Sequence, residues 1–298
     1  MYTRKKCEKD DIWLIRDFLK ETMKNFGEKV NWHIDRLNFT YSVSRIMNGV
    51  SEQKYRDDIT MYMKDDVLEA VLITEGENRG EAFFEVKSLV IDEALKIMMF
   101  DDVEELIKSN GHDFIQLRLH SEAQILIDEA VHRNYEKVEW SEVTMKKLLI
   151  DIEDESLPES YTFLNNFNFK EKATAHAYAF GYYEKEQIII KAEQGLKVMT
   201  TMPDYKSEFD ISIGKDGVEV AFATMWYDPD NQIGILEPVG THKDHRRLGL
   251  GKAAINRGCN MIKALGATAV YVGSDQEFYK ALGFSPVSTD YVYKKSLK

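Results

Sequence analysis

Apolar and polar positions alternate in two stretches of the chain, and each stretch reads as a pair of antiparallel strands. Residues 59–73, ITMYMKDDVLEAVLI, alternate on either side of a polar KDD turn. Residues 210–226, DISIGKDGVEVAFATMW, do the same around Asp216-Gly217, a dipeptide suited to a tight hairpin. Downstream of each pair, an amphipathic helical pattern runs into a strand-like segment, GHDFIQLRL at 111–119 and GATAVYV at 266–272. A short helix and a hairpin-like tail follow, HRNYEKVEWSEVTMKKL in the first half and KALGFSPVSTDYVYKKSL in the second. The same order of elements twice predicts a duplicated α+β unit, with chance similarity of two strand-rich domains as the competing reading. Between the halves, DIEDESLPES at 151–160 is acidic and has weak apolar periodicity, so it reads as a linker dividing the chain into domains 1–150 and 151–298.

Composition narrows the class without naming a chemistry. A length of 298 residues suits two domains, and 44% hydrophobic with 30% charged residues excludes a disordered or collagenous chain. The net charge of −12 disfavours generic adhesion to nucleic acid or anionic lipid, so neither is an expected partner. Cys7 and Cys259 are too few for a disulfide framework, and no zinc-type spacing occurs, so no metal is expected. MYTRKKCEKDD at the start lacks the apolar stretch of a secretory signal, and no apolar run is long enough for a membrane span. A cytoplasmic location is the expectation, and a homo-oligomer is left open.

The halves differ at one place. Where the first half has IDEALKIMMFDD, the second has HKDHRRLGLGKAA, between a strand at 233–241, IGILEPVGT, and a helix at 250–265. Gly249 and Gly251 at the helix entrance let backbone N–H groups approach a ligand, and the helix N-terminus favours an anion. Arg246, Arg247 and Lys252 add positive charge in an otherwise acidic chain. A Walker loop fails, because Arg246 stands where Gly is needed and Ala253 where Ser or Thr is needed. A dinucleotide fingerprint fits Gly249, Gly251 and Ala254 superficially, but polar residues 242–247 separate these glycines from the strand. An Arg-x-x-Gly-x-Gly loop for an acyl-coenzyme A remains, over Arg246 to Gly251. Pro238 and Gly240 weaken pairing in the strand before it, so the sheet is expected to open there toward residues 269–274.

In these features, and in the closing FYKALGF at 278–284, the second half resembles the GCN5-related N-acetyltransferase (GNAT) family. The whole chain resembles tandem members, each domain having a mostly antiparallel central sheet flanked by helices. The first domain reads as a degenerate copy without the cofactor loop. The resemblance implies acetyl-CoA as donor substrate and direct transfer to the amine of a small molecule. It assigns Val239, Gly240, Thr241, Arg246, Arg247, Leu248, Gly249, Leu250, Gly251, Lys252 and Ser274 to the cofactor. Tyr279 matches the family's general acid. Glu237 is the candidate base, with Asp275 and Glu277 in second rank. Trp32, Trp140, Trp226 and Tyr227 read as core or cleft wall, and Tyr178, Phe180, Tyr182 and Tyr183 as candidate acceptor-pocket residues. A non-catalytic acyl-CoA sensor and a nicotinamide-binding domain are the competing functions.

Overall fold

Turn chemistry places the two hairpins where the alternation does. Asp65 and Asp66 have φ of 50° and 61°, and Asp216 and Gly217 have φ of 53° and 83°. Two successive left-handed residues match the twist of the strands they join. The structure, a computed structural model, describes residues 1–77, 79–152, 156–165 and 168–298. Residues 153–155 of the expected linker lie outside the described residues.

The first half runs β1 (Tyr2–Lys6), α1 (Asp11–Phe26), α2 (Ile34–Phe39), α3 (Arg45–Met47), α4 (Glu52–Asp57), β2 (Thr60–Lys64), β3 (Val67–Ile73), β4 (Glu81–Val86), α5 (Glu93–Ser109), β5 (Phe114–His120), α6 (Gln124–His132) and β6 (Glu136–Leu148). The second runs β7 (Tyr161–Phe163), α7 (Phe169–Phe180), α8 (Glu186–Met199), β8 (Asp210–Lys215), β9 (Val218–Asp228), β10 (Ile233–Thr241), α9 (Leu250–Lys263), β11 (Ala269–Val272), α10 (Glu277–Ala281) and β12 (Ser285–Ser296). Strand β11 is shorter than the expected 269–274. No helix among the described residues is long and apolar enough to cross a membrane.

All twelve strands form one sheet, in the order β1-β2-β3-β4-β5-β12-β6-β11-β10-β9-β8-β7. Neighbours are antiparallel except β4 with β5 and β10 with β11, which are parallel. The expected hairpin tails are corrected here: each is one long strand. β6 leaves the first half to pair with β11, while β12 crosses back to pair with β5, and the two pair with each other between. Neither tail holds a Gly-containing turn within its strand, so nothing folds it back on itself.

The alternation of side chains across the sheet builds its cores. Val270 and Val272 of β11 face a core with Ile255 and Cys259 of α9. Ala269 and Tyr271 face the opposite side, where Ile12, Ile15 and Leu37 of the first half meet Trp226, Ile233 and Ile235 of the second. A third core, between α5, α6 and the strands of the first half, includes Phe100, Leu117 and Leu126. The first half's helices α1 and α2 therefore cover one face of the second half's strands. That contact brings first-half side chains to the mouth of the β10–β11 gap.

Candidate active site

β10 pairs with β11 only over Ile233–Ile235, yet it continues along β9 to Thr241. Its register against β9 shifts between Leu236 and Val239, at Pro238, which lacks the N–H a ladder needs. Trp226 Nε1–H donates to the Glu237 carbonyl at 2.7 Å and holds the shifted segment in place. His242 N–H donates to the Val220 carbonyl at 2.8 Å. By alternation Gly240 also faces β9, so Val239 and Thr241 turn their backbone groups toward the gap. The sheet is thus open where the sequence expects it.

On one side of this gap lies a cleft of about 900 Å³, lined by Val239, Gly240, Thr241, Arg246, Arg247, Gly249, Leu250, Gly251, Lys252, Glu277, Phe278 and Tyr279 among others. Gly249 stands at the N-cap of α9 with φ of 77° and supplies no capping side chain. The first intrahelical bond runs from Ala253 N–H to Gly249 C=O, so the first turn presents amides without an intrahelical acceptor. Arg247 is also left-handed, at φ 65°. Arg246 does not stand free: it donates to the carbonyls of Thr241 (3.2 Å) and Ala179 (2.7 Å) and ties the loop to the end of α7. Gly240 has a packing reason for lacking a side chain, since a Cβ there would lie 2.4 Å from the Phe222 ring.

Two expected cofactor residues, Leu248 and Ser274, do not line the cleft; Leu248 is exposed and Ser274 half-buried. Glu277 sits at the rim and pairs with Lys280 at 2.7 Å, and Asp275 is exposed. Phe180 lines the cleft, whereas the Tyr182 hydroxyl bonds His176 Nδ1 at 2.7 Å. Tyr178 stacks between His242 and Tyr183. The His245 ring bonds the Tyr161 hydroxyl at 2.9 Å, which steadies the loop from its other side. Tyr279 is buried against Phe278 and Phe284. Burial, with the nearby Glu237 charge adding to it, pushes its phenol above the ordinary range, so it keeps its proton.

On the other side of the gap lies a cavity of about 410 Å³ at the junction of the halves. Glu237, Ile235 and Gly273 supply its second-half wall; Trp32, Asp35, Arg36, Glu75, Glu77 and Glu142 are among the first-half residues that line the rest. Glu237 is half-buried there, and desolvation pushes its carboxyl to about 8, with Asp35, Glu75 and Glu142 adding and Arg36 opposing. Desolvation also lifts Asp35 to about 6. Burial would raise Glu142 as well, but Arg36 overrides it and holds the carboxyl at about 2. Of these first-half residues Trp32 alone was read from the sequence, as core or cleft wall; Asp35, Arg36, Glu75, Glu77 and Glu142 were not. They come from α2, the segment after β3, and β6, and no local spacing links them.

In the first half the corresponding features are filled. Lys87 N–H bonds Glu69 C=O, so Val86 faces the gap that opens where β4 and β5 part. Asn31 occupies that edge: its Nδ2 donates to Val86 C=O at 2.8 Å and its Oδ1 accepts Val86 N–H at 3.0 Å. The cavity remaining there is about 20 Å³. The following helix, α5, is capped by the Asp92 carboxylate, which accepts Ala94 N–H at 2.9 Å. A carboxylate thus holds the first turn that Gly249 leaves open in α9.

Residues 146–284 match the model of the acetyltransferase (GNAT) family. Amino-acid acetyltransferases of Yersinia pseudotuberculosis and Yersinia pestis are 26% identical over 102 residues, covering 33% of this chain and 23% of theirs. The chain therefore matches less than a quarter of the length of these relatives. A GCN5-related N-acetyltransferase from Sphaerobacter thermophilus has a similar structure, with a TM-score of 0.64 at 14% identity over 100% of this chain and 96% of that one. A tandem GNAT protein from the clavulanic acid biosynthesis pathway gives a TM-score of 0.69 at 11% identity, over 99% and 98% of the two chains. At such identities these two likenesses speak for the fold, and the family match speaks for the loop and its helix. Residues 146–284 are thus similar to the GCN5-related N-acetyltransferase family, and the chain as a whole shares the fold of these two proteins.

Proposed function

We propose that the protein transfers an acetyl group from acetyl-CoA, held in the cleft beside α9, to the amine of a small molecule in the junction cavity. One observation carries this reading: a cavity lined by Glu237 and a cleft lined by Val239 both border the stretch of β10 that leaves β11. The open first turn of α9, together with Arg246, Arg247 and Lys252, suits a pyrophosphate. The free edge of β10 suits the amides of pantetheine, and Val239 N–H suits the oxygen of the thioester as charge develops on it. The amine nitrogen attacks the thioester carbon, a C–N bond forms and the C–S bond breaks. The Glu237 carboxylate takes the proton lost by nitrogen, and the Tyr279 phenol gives one to the departing sulfur.

We read the first half as a degenerate copy that shapes the acceptor cavity and binds no coenzyme, because Asn31 and Asp92 fill its two contact points. Calorimetry should therefore give one acetyl-CoA per chain. Arg246→Ala should weaken binding, since the loop loses its tie to Ala179 and Thr241 as well as a charge. A stoichiometry of two would refute the degenerate assignment, and no binding at all would end the enzymatic reading. Release of free thiol when amines are added separates the enzyme from a non-catalytic sensor. A carboxyl with an elevated pKa at the junction favours the enzyme, because a sensor has no use for a base there.

A further inference from the structure

The charges around the junction cavity are unevenly matched. Its two cations are already engaged: Lys29 pairs with Asp290, and Arg36 lies between Glu75 (2.8 Å) and Glu142 (3.2 Å). Glu77 pairs with the exposed Arg79 at 2.8 Å. Asp35 and Glu237 have no ion-pair partner among the described residues, and the charge of Asp35 adds to the rise at Glu237. Trp32, which lines the same cavity at 3% exposure, has an indole N–H without an acceptor among the described residues. A buried donor of this kind costs free energy unless something else supplies the acceptor. The cavity is also within the size range of small-molecule sites.

We propose that the acceptor is a small amine with at least two cationic nitrogens and no carboxylate: the reacting nitrogen at Glu237, the second held by Asp35 and Glu77. This deepens the acetyltransferase reading and rests on it. A second ammonium satisfies Asp35, the carboxyl that the reacting amine leaves unmatched. An α-amino acid fits poorly, because its carboxylate would enter a cavity whose cations are all taken and whose other walls are acidic. A neutral hydroxyl or amine lone pair on the same molecule can accept from Trp32.

Three probes of one carbon chain separate the possibilities: 1,4-diaminobutane, n-butylamine, and ornithine, which is the diamine carrying a carboxylate. Thiol release should be most efficient, by kcat/KM, with the diamine. Asp35→Asn should raise its KM about tenfold to a hundredfold, the loss of one charge-assisted contact, and change that of butylamine less than about threefold. Glu77→Gln, at a half-buried position outside the helices and strands, should shift the same KM in the same direction and serves if Asp35→Asn folds poorly. Equal kcat/KM for diamine and monoamine, or a preference for ornithine, overturns the proposal and leaves acetyl transfer standing. Acetyl-CoA binding without thiol release from any amine overturns both.

Discussion

Glu237→Gln should lower kcat by about 10²–10⁴-fold, the usual contribution of a positioned general base, while acetyl-CoA binding is retained. The wild-type rate should carry a pH dependence of its own. Glu237 acts only as the carboxylate, and with its pKa near 8 the active fraction rises about tenfold per pH unit below that value and levels off above it. The acceptor amine also titrates, so the two must be told apart. A limb that belongs to Glu237 stays in place when acceptors of different basicity are compared, whereas one that belongs to the acceptor moves with it. The limb should vanish in the Gln variant. It should move to lower pH in Asp35→Asn, because a neighbouring negative charge that raises the Glu237 pKa has been removed. A Gln variant with wild-type turnover would mean that water or another group takes the proton.

The same carboxyl should be a stability cost. Its pKa rises from the ordinary value of 4.5 to about 8 in the folded protein, so the folded state holds this proton more tightly than the unfolded chain. Below the ordinary value both states are protonated and the full contribution is present. It is lost as pH rises through about 8, where the native protein must ionise a desolvated group. Glu237→Gln should therefore melt at a higher temperature than the wild type, with a difference that grows between pH 5 and 9. A base that is costly to ionise in its resting cavity is well matched to a cationic ligand, which would relieve the cost on binding.

The cleft beside α9 was legible because its determinants are local. Arg246 to Gly251 is one loop, and Gly249 meets the helix N-terminus through its own backbone conformation. Pro238 announces the register shift because a missing N–H has the same consequence in any strand. The junction cavity was not legible for the opposite reason. Asp35, Glu75, Glu142 and Glu237 are separated by tens of residues each, and only the packing of α2 and β6 across β10 and β11 brings them together. The tails show a subtler limit. Alternation at 136–148 and 285–296 identifies strands, but period two reads the same whichever strand lies alongside. It could not reveal that β6 and β12 change places. The filled gap of the first half was half legible: the sequence lacks the glycine loop there, but nothing in it marks Asn31 as a stand-in for a strand.

Because the last strands are exchanged, damage at each should be felt in the half to which it does not belong in sequence. Met145, in residues 1–150, is fully buried in the core of α9 and β11, together with Ile255, Cys259 and Val270. Tyr293, near the C-terminal end, is buried among Tyr62, Phe100 and Leu117 of the first half. Met145→Ala should cost about 2–5 kcal/mol and Tyr293→Ala about 3–5 kcal/mol, the usual range for emptying a packed core site. Amide hydrogen exchange gives the location: Met145→Ala should speed exchange mainly in β11 and α9, and Tyr293→Ala mainly in β5 and α5. The opposite assignment would mean that each tail stays with its own half. The exchange also bears on the site, because it is the crossing of β6 to β11 that carries Glu142 and Thr144 to the wall of the cavity holding Glu237. Met145→Ala, one residue beyond Thr144, should therefore weaken acceptor use and coenzyme binding together, although Met145 lines neither cavity.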